Sequence, residues 1–186
     1  MVALTALIVP ILVSAVLVFL ASSLVHMVLP WHKGDYPKMP NEDKVMDALR
    51  PLNIPPGDYM VPRASDMKDM KSPEFKAKFA KGPVFMMTMM DGSMNMGPQF
   101  IRWFLFSVVV GIFSAYVASH TLPAGAGYRG VFRIVGVVTF CSYAMASWPM
   151  SIWYKRAWRI TITGNIDAVL YACLTAGTFG WLWPKM

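Results

Sequence analysis

The first 32 residues contain no Asp, Glu, Lys or Arg. Within them, Val2 to Leu29 is long enough to cross a ~30 Å hydrocarbon core at about 1.5 Å per helical residue. The run lacks a basic leader and is too long for a secretory signal, so it reads as a membrane span. Pro10 kinks this span or sets its start. Pro30 ends it, because proline cannot continue the helical hydrogen-bond ladder. Three further runs follow. Trp103 to Tyr128 is interrupted by His120 and closed by the turn residues of Thr121 to Gly127. Ile134 to Tyr154 is uncharged, and Ile160 to Pro184 holds one charge, Asp167. Only 15% of residues are charged and 56% are hydrophobic, against about a quarter charged in a soluble domain. Composition therefore excludes a disordered chain and disfavours an ordinary soluble enzyme. The expected fold is an all-α membrane protein with four transmembrane helices. It divides into helix one (1–30), an extramembrane insert (31–98) and helices two to four (99–186).

The insert is too polar for lipid. It has 10 Lys and Arg against 9 Asp and Glu, so it contributes little to the chain's formal charge of +7. Asn41 is placed to cap a helix from Glu42 to Arg50 that Pro51 stops. Ser72-Pro73-Glu74 opens a second helix that runs to Lys81 and ends at Gly82, with Phe75 and Phe79 on one face. Asn53 to Pro62 reads as extended and proline-stiffened. Val84 to Met90 and Ser93 to Met96 read as a hairpin across Asp91-Gly92. The insert is thus expected to mix helix and hairpin.

Orientation follows from the basic residues. Lys33, Lys38, Lys44, Lys81, Arg102, Lys155, Arg156 and Arg159 lie near span ends on the insert's side. Arg129, Arg133 and Lys185 lie on the side of the termini. This asymmetry predicts a cytoplasmic insert and periplasmic termini in a bacterial inner or intracytoplasmic membrane. The tryptophans near span ends (Trp31, Trp103, Trp148, Trp153, Trp158, then Trp181 and Trp183) are expected at the interfaces.

Few residues in this pattern suggest chemistry. His26 follows Ser22 by four residues, which leaves room on the helix face for a flat macrocycle. The local pattern resembles the small-x-x-x-His of light-harvesting polypeptides, so His26 is the candidate cofactor ligand, toward bacteriochlorophyll. The plainer reading, a histidine at the membrane boundary bonded to a carbonyl or a lipid headgroup, is favoured. His120 falls at the other end of span two, so it cannot share a haem with His26, and His32 lies outside the apolar run. Asp167 is a candidate for a proton path as the one intramembrane acid. An Asn165 cap would instead place it in a first helical turn, anchored by Arg102, Arg156 or Arg159. The cluster of Met86, Met87, Met89, Met90, Met94 and Met96 offers soft ligands for Cu(I). A packed or partner-facing hairpin is favoured over copper handling. Cys141 and Cys173 read as buried thiols. No metal site and no catalytic residue is assigned. Charge patterning gives nucleic-acid binding no support.

The clearest pattern concerns packing. Ser107, Gly111, Ala115 and Ser119 form a small-residue stripe on span two. Ala168, Ala172, Ala176 and Gly180 form another on span four. Such stripes let helices approach closely, within the bundle or against another membrane protein.

Four stretches, His26 to Arg63, Met70 to Phe79 (MKSPEFKAKF), Met150 to Trp158 (MSIWYKRAW) and Thr175 to Pro184 (TAGTFGWLWP), carry a likeness to known proteins. Through them the chain resembles a family of small bacterial four-span membrane proteins that has no catalytic motif. It is also similar to accessory transmembrane subunits of photosynthetic reaction centre–light-harvesting complexes. That resemblance implies a non-catalytic scaffolding subunit whose partners are other membrane-protein subunits and lipids. The alternatives are a small membrane enzyme or proton-handling protein built on Asp167 and His26, and a pigment- or metal-binding module.

Overall fold

The computed structural model describes residues 2–185. Among the described residues, four helices are long and apolar enough to cross a membrane: Leu4–Met27, Gly97–Thr121, Tyr128–Ile152 and Trp158–Leu182. The first comprises a short 3₁₀ turn and helix α1 (Ile8–Met27). Pro10 sits near the N-terminus of α1, where its missing N–H removes no helical bond. The second is α5 (Gly97–Thr121). It begins six residues before the apolar run expected from Trp103, because the flanking Met96-Gly97-Pro98 sequence starts a helix and Arg102 is carried within it. It stops at the Leu122-Pro123 turn and not at Tyr128. The third is bent: α6 (Tyr128–Ala144) gives way at Met145 and Ala146 to α7 (Ser147–Trp153). The fourth is α8 (Trp158–Leu182).

Two compact units divide the chain, residues 38–95 and the remainder. In the larger unit α1 packs on α5 and α8, and α6 packs on α5 and α8, so the four long helices close a ring. Both small-residue stripes are used inside this ring. Ser107, Gly111, Ala115 and Ser119 are buried, as are Ala168, Ala172 and Ala176. At Gly111 an added Cβ would lie 3.2 Å from the Ile11 side chain, a tight contact that marks how closely α1 and α5 approach. Ser114 and Thr139 share a hydrogen bond of 2.9 Å between α5 and α6. Close approach of small side chains supplies dispersion and weak polar bonds where lipid offers no hydrophobic drive. At Gly180 an added Cβ would fall 2.7 Å from the Tyr128 ring. Gly180→Ala is therefore expected to cost about 1–3 kcal/mol of stability by overpacking, measured as a lower thermal midpoint in detergent. An unchanged midpoint would show that this contact is slack.

The apolar core gathers at one end of the ring, around Leu7, Ile11, Ala118, Val131, Val135 and Phe179. Two of the expected interfacial tryptophans are packed inside. Trp183 donates to the Pro123 carbonyl (3.0 Å), and Trp103 donates to Ser22 Oγ (2.7 Å). Cys141 and Cys173, expected to be buried, are both free and exposed on the outer surface of the unit. Their helix faces turn away from the ring because the small stripes occupy its interior.

The smaller unit holds α2 (Glu42–Leu49), α3 (Met67–Lys71), α4 (Pro73–Lys81), β1 (Gly57–Val61) and β2 (Phe85–Met89). Ser72 caps α4 by accepting from the Phe75 N–H. Asn41 precedes α2 in a left-handed conformation, and its side chain makes no cap bond. The strand at Phe85–Met89 does not pair across Asp91-Gly92 as expected. It runs antiparallel to β1, with Val61 opposite Phe85 and Gly57 opposite Met89. The Asp58 carboxylate accepts from Thr88 across that pair (2.6 Å). Asp91 does accept from the Ser93 N–H, making a local turn, but residues 93–96 lead into α5 and form no strand. The helices of this unit bury no residue.

Candidate metal centre

The end of the large unit opposite its apolar core is polar. Its construction starts at Pro30, which stops α1 and begins a 3₁₀ turn, Pro30–His32. The Lys33 N–H bonds the Pro30 carbonyl and the Asp35 N–H bonds the His32 carbonyl, each at 3.0 Å. The turn folds the chain back so that the rings of His26 and His32 stand 4.2 Å apart. Helix α8 receives the turn through residues spaced four apart, Arg159, Thr163, Asp167 and Tyr171, which share one face at that spacing. Arg159 donates to Asp35 Oδ1 (3.2 Å) and to the Trp31 carbonyl (3.0 Å). Thr163 donates to Asp35 Oδ2 (3.0 Å). Gly34 leaves space for this clamp, since a Cβ there would lie 3.0 Å from the Arg159 guanidinium.

Asp35 is itself buried. Burial alone raises its pKa. The hydrogen bonds from His32 and Thr163, with the charges of His32 and Arg159, outweigh that and hold the carboxyl below the usual carboxylate range. It is therefore ionised at neutral pH and accepts from His32 Nδ1 at 2.8 Å. That bond occupies Nδ1; in the neutral ring it leaves the lone pair on Nε2, where a metal would bind.

His32 Nε2 lies 3.0 Å from Asp167 Oδ2, and His26 Nε2 lies 3.6 Å from the same oxygen. The donor atoms of His26, His32 and Asp167 all fall within 4.8 Å of one another. Despite the short distance, His32 Nε2 has no hydrogen-bond partner among the described residues, and neither do Asp167 Oδ1 and the Tyr171 hydroxyl. Each such buried atom costs about 1–3 kcal/mol if left unmet. A nitrogen lone pair and a carboxylate oxygen at 3.0 Å repel unless a proton or a metal ion lies between them. Around a tetrahedral ion with bonds of about 2.0–2.1 Å, neighbouring donors stand about 3.3 Å apart; the two measured distances bracket that value. The triad faces a cavity of about 420 Å³ that Trp103, Tyr143, Arg156 and Tyr171 also line. Trp103, Tyr143 and Tyr171 pack edge to face or tilted on one another, with centroids 5.3–6.1 Å apart. Arg156 is engaged by the Tyr36 hydroxyl.

Several expectations change here. Asn165 does not cap the fourth span. Helix α8 begins two turns earlier, at Trp158, because Thr161 and Thr163 satisfy their hydroxyls without breaking it. Asn165 instead bonds the Thr161 carbonyl and Trp148. Asp167 therefore lies in the helix interior, buried, and its nearest basic partners are imidazoles, while Arg159 pairs with Asp35. Beside His26, Ser22 Oγ accepts from the Trp103 indole, and a cavity of about 400 Å³ remains open along that side of α1. His120 stands apart, its Nδ1 2.8 Å from the Tyr116 carbonyl. The methionines of 86–96 do not converge: strand alternation separates Met86 from Met87 and Met89, and Met90 and Met94 are exposed. His32 and Asp35 are the residues that sequence reasoning missed. The available signal was the i, i+4 series Arg159, Thr163, Asp167, Tyr171, one residue out of step with the small stripe. No match is found to the protein-family models, the curated proteins or the solved structures with which the chain was compared.

Proposed function

We propose that the chain is a small multi-pass membrane protein that holds one divalent transition-metal ion, with His26, His32 and Asp167 as ligands. The observation that carries this reading is the convergence of three donor atoms within 4.8 Å, two of them on side chains, His32 and Asp167, that each keep a buried atom without a hydrogen-bond partner among the described residues. Two imidazoles and one carboxylate suit borderline ions such as Zn(II), Fe(II) or Cu(II). Asp35 is the outer partner that metal-bound histidines characteristically have. Three protein ligands beside a cavity leave a position for water or another ligand, as in sites that do chemistry and unlike closed structural ones. A proton in place of the metal would make His32 an imidazolium between Asp35 and Asp167, but would leave the approach of His26 unexplained. Metal analysis of the purified chain tests the reading. About one equivalent is expected in wild type and in His120→Ala, and far less in His32→Ala.

The basic span ends support placement in a bacterial inner membrane with the 31–98 insert cytoplasmic and the termini periplasmic. A second reading, an accessory subunit of an energy-transducing complex, is favoured by one observation. The smaller unit exposes Met46, Met60, Met67, Met70 and Phe79, and methionine suits adaptable docking surfaces. The reaction centre–light-harvesting complex enters through resemblance, and the stripes that suggested docking are spent inside the ring. Native purification with partner subunits would favour this reading; migration of the chain by itself in mild detergent would oppose it. The two readings are compatible.

A further inference from the structure

His26 is half-exposed, with 51% of its side chain accessible, and stands between two cavities. One is the polar cavity of the triad. The other, of about 400 Å³, lies between α1 and α5 and is walled by Met27, Met96, Phe100, Trp103, Ser22 and Ser23. His26 and Trp103 line both. The second cavity is mostly apolar: apart from His26 at its inner edge, its polar side chains are Ser22, Ser23 and Gln99, the last exposed at its outer side. Ser22 Oγ is bonded to Trp103 and to the Phe19 carbonyl, and Ser23 Oγ to the same carbonyl, so neither hydroxyl is left to recognise a polar ligand. Met27 and Met96 are exposed at its rim, on the outer surface of two spans that border lipid when the chain crosses a membrane.

Resting on the metal reading, we infer that the centre takes an amphiphile from the lipid side. Its single apolar chain would lie between α1 and α5, and its metal-ligating head would reach past the edge of His26 to the open side of the ion. The chemistry on the two sides of His26 selects this class. A wholly polar ligand gains nothing from Met27, Met96 and Phe100. A wholly apolar one leaves the ion and the Tyr171 hydroxyl unmet. Tyr171 is the buried donor available to the head group.

Co(II) substitution supplies the test, because its visible bands report a new ligand. Decanoate and acetate carry the same head group and differ in the chain. In detergent-solubilised wild type, decanoate is expected to shift the Co(II) bands at a concentration at least tenfold below that needed with acetate. Met27→Trp and Ser23→Trp fill the apolar cavity without touching the triad. Each should bind Co(II) as wild type does and bring the two carboxylates within about twofold. Two variants are specified so that misfolding of one leaves the other informative. Equal potency in wild type would overturn the inference, as would a chain advantage that survives in both filled variants, since it would then come from micelle partitioning. A protein that takes up no Co(II) would overturn the metal reading and this inference together. Uptake without a chain preference would overturn the inference and leave the metal reading standing.

Discussion

Asp167→Asn should lower metal affinity by more than about 100-fold while leaving the metal-free protein as stable as wild type, or more so. The first half follows from the loss of a ligand, which must exceed the about 10–100-fold that loss of a supporting hydrogen bond costs. The second follows from the metal-free geometry. Asp167 is a buried carboxylate whose Oδ2 faces His32 Nε2 at 3.0 Å and whose Oδ1 has no partner among the described residues. An amide of the same shape removes the buried charge and brings a donor that can face His32 Nε2. Isothermal titration with Zn(II) and thermal melts of the metal-free protein separate these effects. If Asp167 were a structural anchor for a basic side chain, the substitution would lower the melting point and leave metal uptake unchanged.

Asp35→Asn carries the second large effect, and it acts at one remove from the ion. The carboxylate orients His32 and gathers Arg159 and Thr163 onto the turn after α1. Its loss should cost about 10–100-fold in metal affinity. It should also cost about 2–3 kcal/mol of stability at neutral pH, where charged hydrogen bonds are lost but the half-exposed Arg159 limits the ionic share. The pH dependence has a definite sign. The Asp35 pKa is lowered on folding, so its contribution is complete above the ordinary carboxylate value near 3.9 and disappears as pH falls through the lower folded value. Melting curves of the metal-free protein from pH 7 to pH 2 should show a steeper acid loss in wild type than in Asp35→Asn. Parallel curves would mean that the carboxylate does not hold the turn.

Much of the scaffold was legible because apolar length is a direct physical signal. The spans, the Pro30 stop and the Ser72-Pro73 helix start each follow from one local rule. The errors arose where tertiary bonds override local ones. Asn165 looks like a cap, yet Thr161 and Ser147 engage it within the helix. Asp91-Gly92 looks like a hairpin turn, yet β2 found its partner about 30 residues earlier. The site was half legible. His26 and Asp167 stood out as polar residues in apolar runs. His32 and Asp35 did not, because they sit in a polar context and become partners of Asp167 and Arg159 only when the 3₁₀ turn folds back. That juxtaposition spans more than 120 positions, and no local pattern reports it.

X-ray absorption at the edge of the bound metal in the purified four-span protein tests the central claim most directly. The account predicts a nitrogen and oxygen shell at about 2.0–2.2 Å, with the outer scattering of two imidazoles that falls to one in His26→Ala. A sulfur shell near 2.3 Å, or a shell with no imidazole, would place the metal elsewhere and contradict the assignment of His26, His32 and Asp167.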